Sequence, residues 1–320
     1  MNQDRMKILL SFAYMNPHVL RVVKATQGHV DWLLDSGAFT AHQQGKEIDI
    51  KEYMKFLSEH GSLFWQTIGL DKVGDSKATK ENLRIMRSEG FNPMPVLTVD
   101  EHANEAVELL GDNCKHLCVA GGVTEPVNLY APRLSMIRSL VGDQAWLHGL
   151  GFSRGPVVAN TAVDSVDSST WLAGKRWGQL VWFDPSTSKG FGNIGWRDAL
   201  QKNWSDLPVR ARNVIVQMGL RKSDLNTHDM SKGAFSALSM QSVHAFLRFG
   251  KYLKDAGKVY FFAVTNVQDT VQLLIAKKHS TDRAVRWRNC KADVEKYRAG
   301  NLAIDQLAAD AAANLKRRGL

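Results

Sequence analysis

Three aspartates fall at the ends of apolar runs: Asp35 in HVDWLLDSGAFT, Asp71 in TIGLDKVGD and Asp167 in VDSVDSSTW. A run that reads as a buried strand and stops on a carboxylate, with Ser-Gly-Ala and Phe39 next, fits a helix cap or an acid at a binding mouth. Two further runs end in groups of similar promise, Gly121 and Gly122 in CVAGGV and His148 in WLHGLG. Carboxylates brought together repel one another when ionised and dry, so a cluster of them is kept where it holds a polar ligand or moves protons. Capping accounts for any one of these aspartates and accounts poorly for three together. Asp164, three residues before Asp167, competes with it for any nucleophilic role.

The elements that must position these groups alternate along the chain. Strand candidates are MKILLSFAYM, VDWLLDSGAF, LFWQTIGLD, PMPVLTV, KHLCVAGG, AWLHGLG, AVDSVDSS, QLVWFD and VYFFAVTN. Between the early ones lie DIKEYMKFLSEHG, SKATKENLRIMRSEG, DEHANEAVELLGDN and VNLYAPRLSMIRSLVG, with apolar residues three and four apart as on one face of a helix. Asp49 with Glu52 reads as a capping box, and Asp100 as an N-cap for the third helix. Strand then helix, repeated without a break in composition, predicts a (β/α)8 TIM barrel, in which loops after the strands converge on one mouth. The nine candidates exceed eight places, and an extra N-terminal strand is the expected surplus. The whole chain, 1–320, then reads as a single barrel domain with a long insertion late in the barrel at about 184–230 and a C-terminal helical segment at about 285–320. The insertion is rich in Gly, Ser, Asn and Arg and reads as irregular, with GFGNIG as a small-residue loop or a phosphate cradle.

Composition restricts the partners. No apolar run approaches the length of a membrane span and the first residues lack a small-residue cleavage site, so no membrane role and a cytoplasmic setting are expected. Cys114, Cys118 and Cys290 cannot all pair, and their spacing suits buried thiols better than a zinc site, although His279 with Cys290 leaves an irregular metal site open. No metal and no cofactor is expected. The net charge of +9 is uneven: residues 1–160 carry 16 Lys+Arg against 18 Asp+Glu, −2, and residues 161–320 carry 25 against 14, +11. Basic surface gathered in one half of a chain suits a polyanion, whose condensed counterions each phosphate contact releases. Lys175, Arg176, Arg210, Arg212, Arg221, Arg286 and Arg288 are the candidate phosphate contacts, drawn from a basic stretch from Lys175 to Lys222 together with Arg283, Arg286 and Arg288. Trp196 and Trp204 stand among them as possible stacking groups, and Lys316, Arg317 and Arg318 suit the end of a closing helix.

DSGAF, GLD, AGGV, HGLG and VDSS, in this order over residues 29–172, resemble the tRNA-guanine transglycosylase superfamily, most closely its DNA-acting branch in phages and bacteria. The resemblance implies a (β/α)8 barrel and exchange of guanine in DNA for a 7-deazaguanine such as 7-cyano-7-deazaguanine. It implies that Asp167 is the nucleophile that forms a covalent bond to C1′ of the target nucleoside, and that Asp35 is the acid/base group for the departing and incoming bases. Asp71 would accept hydrogen bonds from the guanidine-like edge of guanine, Phe39 would stack on the ring, Gly121, Gly122 and Val123 would meet its other edge, and His148 would form a lid. Gly37 and Ala38 would let the chain approach the base closely.

The tRNA enzymes carry Gly-Gly-aromatic-Gln after the acid/base Asp, where this chain has Gly37, Ala38, Phe39 and Thr40, and their Cys-x-Cys-x-x-Cys zinc motif is missing. DNA and a 7-deazaguanine base are the partners that the resemblance to the DNA-acting branch implies. A tRNA-acting enzyme, a non-catalytic nucleic-acid-binding subunit and an unrelated barrel hydrolase are the alternatives. Oligomeric state has no signature in the sequence.

Overall fold

The computed structural model describes residues 5–111, 113–221, 223–224, 230 and 233–318, with side chains as far as Asn314. Lys222 and the side chains of Lys316, Arg317 and Arg318 lie outside the described residues. The chain divides into two compact units, one built on Lys7–Ser169 and Ala256–Thr265, the other on Thr170–Asp255 and Asn266–Leu320.

The first unit is an α/β fold around a curled eight-stranded sheet. Its strands are β1 (Met6–Ser11), β2 (Val30–Asp35), β3 (Gln66–Thr67), β4 (Val96–Leu97), β5 (His116–Val119), β6 (Trp146–Gly149), β7 (Ser165–Ser168) and, after the chain has built much of the second unit, β10 (Val259–Val264). The order is β3-β2-β1-β10-β7-β6-β5-β4, with parallel pairings such as Ile8 with Phe262 and Cys118 with His148. β3 and β4, at the two ends of that order, are also linked: Ile68 and Met94 form a parallel bridge, and the Met94 N–H donates to Thr67 O at 2.8 Å.

Period-two alternation explains how these strands bury both faces, as parallel sheets do. Leu9, Leu33, Ile68, Met94, Val96, Cys118 and Phe261 pack together as one cluster, and their strand neighbours Ile8, Leu10, Trp32, Leu34, Leu117 and Leu147 are buried on the opposite face. Polar residues flank the cluster on both sides. Toward the strand starts, Lys7 Nζ meets Asp31 at 2.5 Å and the Gln66 amide meets His116 at 3.2 Å. Toward the strand ends lie Ser11, Asp35 and Asp167.

Asp49 caps the helix Ile50–His60, accepting from the N–H groups of Lys51 and Glu52 at 2.7 and 3.4 Å. Asp100 does not cap: it accepts from Thr98 Oγ1 at 2.6 Å, and the following helix, Glu105–Leu110, begins after Asn104. The surplus strand is not N-terminal either. MKILLS sits in the sheet, and QLVWF becomes β8 (Gln179–Phe183), which pairs antiparallel with β9 (Phe191–Gly195) in the second unit. GFGNIG is thus neither loop nor phosphate cradle; a Cβ on Gly192 would stand 2.3 Å from the Trp182 ring, which fixes glycine there.

The expected irregular insertion holds β9 and the helices Trp196–Gln201 and Val209–Gln217. The segment between β7 and β10 joins the C-terminal helices in the second compact unit. In it the helix Ala237–Asp255 packs on β8 and on the helix Val267–Lys278. The C-terminal segment forms Trp287–Arg298 and Ile304–Arg318. Among the described residues no helix is long and apolar enough to cross a membrane.

Candidate active site

Asp35 is the last residue of β2, Asp71 follows β3 by four residues, and Asp167 is the third residue of β7. All three stand toward the C-terminal ends of parallel strands, where a curled parallel sheet gathers its loops. Asp35 is the centre of the group. Burial, and after it the charges of Asp71 and Asp167, push its carboxyl up from 3.8 to about 7, against the opposing pull of the Gly37 N–H and the Ser11 hydroxyl. The charges of both other acids therefore reach it through a poorly solvated space.

Local sequence fixes the Asp35 carboxyl. Its Oδ2 accepts the Gly37 N–H at 3.0 Å, closing an Asx turn into the short helix Ala38–Gln43. Gly37 adopts φ +84°, and a Cβ there would stand 2.6 Å from Ala13 N and 2.9 Å from Ser11 Oγ. Glycine is thus required by the end of β1, whatever a ligand needs. Ser11 Oγ is buried and makes no hydrogen bond of good geometry, although it lies close enough to Asp35 to favour the ionised form.

Asp71 is half-buried, and Ser36 Oγ donates to its Oδ1 at 3.0 Å. Burial pushes its carboxyl above the usual range, with the Ser36 bond opposing. Asp167 Oδ1 accepts the Gly151 N–H at 2.8 Å and lies 3.3 Å from His148 Nε2. His148 is fully buried, edge-on to Phe261, with Nδ1 2.8 Å from Ser165 Oγ, which itself accepts from Trp146 Nε1 at 2.8 Å. With Trp146 donating to Ser165, the serine proton is available to His148 Nδ1, which leaves the ring hydrogen on Nε2 facing Asp167. His148 Nε2 lies off the line of a good hydrogen bond to Asp167 and, among the described residues, has no other partner. His148 was expected to form a lid; its burial and its contacts make it a support for Asp167 instead.

Asp164 belongs to a different environment. Arg138 donates to its Oδ2 at 2.5 Å and the Leu147 N–H donates to the same oxygen at 2.7 Å, so this acid locks β6 to the start of β7. Around the cluster, burial pushes up the Cys118 thiol and the Tyr53 and Tyr260 hydroxyls. The charges of Asp35, Asp167 and Asp71 all add to the effect on Cys118, which lies buried among them.

Phe39 and Val123 are 47% and 58% exposed, offering apolar surface near the strand ends. Gly121 and Gly122 serve local packing: a Cβ would meet Glu125 Oε2 at 2.2 Å and Leu150 O at 2.4 Å respectively. Ser11, Ser36, Ser165 and Trp146 escaped the sequence reading. Their signal was period-two spacing onto the face that carries Leu9 and the acids, or direct adjacency to Asp35.

The expected phosphate contacts all fall in the second unit. Lys175 is committed, its Nζ 2.6 Å from the buried Asp269, so it holds the fold and is withdrawn from the set. Arg210 is exposed with Nε 3.0 Å from Asp184, and Arg221 is exposed 3.5 Å from Asp224. Arg176, Arg286 and Arg288 are exposed and Arg212 is half-buried. Trp196 and Trp204 are half-buried, whereas Trp177 is exposed. His279 Nε2 bonds to Asp293 at 2.8 Å, and Cys290, like Cys114 and Cys118, is a free buried thiol.

Compared with protein-family models and with curated proteins, the chain matches none.

Proposed function

We propose that the chain is a guanine transglycosylase acting on DNA, with the three-aspartate cluster as its site and the curled sheet closed as a (β/α)8 barrel. The bridge from Ile68 to Met94 supports closure, because it joins the segments beside β3 and β4. The observation that carries the functional reading is the Asp35 carboxyl, which burial first, and then the charges of Asp71 and Asp167, push to about 7. A group that holds and releases a proton near neutral pH is what exchange of one base for another requires.

In this reading the Asp167 carboxylate attacks C1′ of the target nucleoside while the bond from C1′ to the purine nitrogen breaks, and Asp35 gives its proton to the departing guanine. An ester then joins Asp167 to the sugar. The incoming 7-deazaguanine yields its ring N–H proton to Asp35, its nitrogen attacks C1′, and the ester bond breaks to regenerate the Asp167 carboxylate. Two displacements retain the configuration, as in retaining glycosidases. The Gly151 N–H holds one oxygen of Asp167, with His148 Nε2 3.3 Å from it, and the other oxygen is left for attack. Asp71, fixed by Ser36, offers acceptor oxygens to the donor edge of guanine, and Phe39 offers a ring face.

A base stacked in a duplex shields C1′, so the nucleotide must be flipped or met in a single strand. The +11 of residues 161–320 supports DNA as the polymer through phosphate contacts. The test offers the protein labelled guanine with DNA and, separately, with tRNA. Label entering DNA upholds the reading; label entering tRNA alone reassigns the polymer; label in neither removes base exchange.

A further inference from the structure

We propose that the second unit carries a phosphate-binding pocket organised by Arg283 and by Arg286, already an expected DNA contact, and that the pocket binds phosphate whether or not the aspartate cluster exchanges bases. A cavity of about 590 Å³ opens between the helix Val267–Lys278, the turn that follows it and the start of Trp287–Arg298, with Gln217 and Asn314 contributing to its wall. Its size falls in the range of about 300–1,000 Å³ usual for ligand sites. Its chemistry does not follow the usual pattern. Ligand sites are mostly apolar, whereas no aliphatic side chain and no Phe, Tyr or Trp lines this one. Such a lining recognises neither a lipid tail nor a stacked base; it suits a polar, charged group.

The sign of that charge follows from which cations are already committed. Lys278 Nζ lies 3.0 Å from Asp293 and 3.1 Å from Asp310, and His279 Nε2 lies 2.8 Å from Asp293, so both side chains are already engaged within the fold. Arg283 and Arg286 are exposed, and among the described residues neither guanidinium has a hydrogen bond or an ion pair. Asp282, also exposed, is the one carboxylate among the lining residues, against these two free cations. The positive surplus is uncommitted and selects an anion. Two guanidiniums present paired N–H donors whose planar fork matches phosphate oxygens, better than an ammonium does.

The backbone that presents them is fixed. Ser280 and Val285 form an antiparallel bridge, Thr281 Oγ1 accepts the N–H groups of Arg283 and Ala284 at 3.3 and 3.1 Å, and the Arg286 N–H donates to His279 O at 3.2 Å. Asn314, nearly buried, ties the same turn down by donating to Lys277 O and Ser280 O at 2.8 and 3.2 Å. The ligand is therefore a phosphate group on a polar body: a stretch of nucleic-acid backbone or a free phosphate ester.

The experiment compares the full chain with the double variant Arg283→Gln/Arg286→Gln, whose exposed positions leave the fold intact, as far-UV circular dichroism and the thermal midpoint verify. A single-stranded DNA oligonucleotide is titrated at several salt concentrations, and inorganic phosphate is titrated separately by calorimetry. For a backbone source, the variant binds DNA at least tenfold more weakly at low salt. The slope of log affinity against log salt flattens by about 0.7 for each lost phosphate contact, about 1.4 for the pair. For a free-ester source, inorganic phosphate binds the wild type and not the variant, while DNA binding is the same for both. Indistinguishable responses to both probes, including no binding by either protein, overturn the pocket. Because base exchange is assayed separately, its failure leaves this result standing.

Discussion

Replacing Asp35 with Asn tests the electrostatics of the cluster without relying on any substrate. The native carboxyl is pushed from 3.8 to about 7 by burial and by Asp71 and Asp167. Each factor of ten in acidity corresponds to about 1.4 kcal/mol, so the folded state disfavours the ionised form by about 4 kcal/mol. Below pH 3.8 the side chain is protonated in both the folded and unfolded chains, and it contributes nothing to pH dependence. Between 3.8 and about 7 the unfolded chain releases a proton that the folded chain keeps, so stability falls as pH rises, and the full cost is present above 7. Asn keeps an oxygen for the Gly37 N–H and never ionises. Asp35→Asn is therefore close to wild type at pH 4 and more stable at pH 8, by up to about 4 kcal/mol. Denaturant unfolding at pH 4, 6 and 8 measures the gap. A variant less stable at every pH, or a gap that does not widen as pH rises, would refute the account of a desolvated acid pressed by two others.

Four further outcomes follow from the same geometry. His148→Phe keeps the ring volume and leaves Asp167 Oδ1 with the Gly151 N–H alone. Losing a polar neighbour that stands at 3.3 Å but off hydrogen-bond geometry, about 0.5–1.5 kcal/mol, should slow base exchange by about two- to tenfold, read as initial rate of label incorporation. Gly37→Ala meets both a left-handed φ and a clash with Ala13 N, so the thermal midpoint should fall by the equivalent of about 1–3 kcal/mol. Asp31→Asn leaves Lys7 buried without its carboxylate and should destabilise by about 3–5 kcal/mol in denaturant unfolding, with Lys7→Met/Asp31→Leu recovering most of the loss. Lys175→Gln should lower stability by removing the ammonium from the buried Asp269, and it should leave the salt slope of DNA binding unchanged, because that ammonium is already committed.

The sheet was legible because its strands are short apolar runs with polar ends, a pattern that survives without any contact information. The same pattern misled at QLVWF, since an antiparallel hairpin strand buried on both faces has the composition of a parallel one, and only its partner distinguishes them. Asp100 looked like a cap by position, yet its nearest donor is the Thr98 hydroxyl. Asp35 and Asp71 are visible as carboxylates ending apolar runs, while only the structure shows Asp164 tied to Arg138 and the Leu147 N–H and Asp167 facing Gly151 and His148. The roles of the small residues were not legible. Gly37 looks like clearance for a ligand, and what fills the space is the chain itself, at Ala13. His148 and Lys175 exposed the same gap: a polar residue in sequence does not say whether its partner is a ligand or a buried aspartate.

The most direct test asks whether Asp167 bonds to a sugar. The wild type and Asp167→Asn are each mixed with guanine-containing DNA, denatured, and examined by electrophoresis and intact mass. The account predicts a slowed band whose added mass equals the DNA less one guanine, present for the wild type and missing for the variant. Identical lanes, or an adduct that persists without the Asp167 carboxylate, would contradict it.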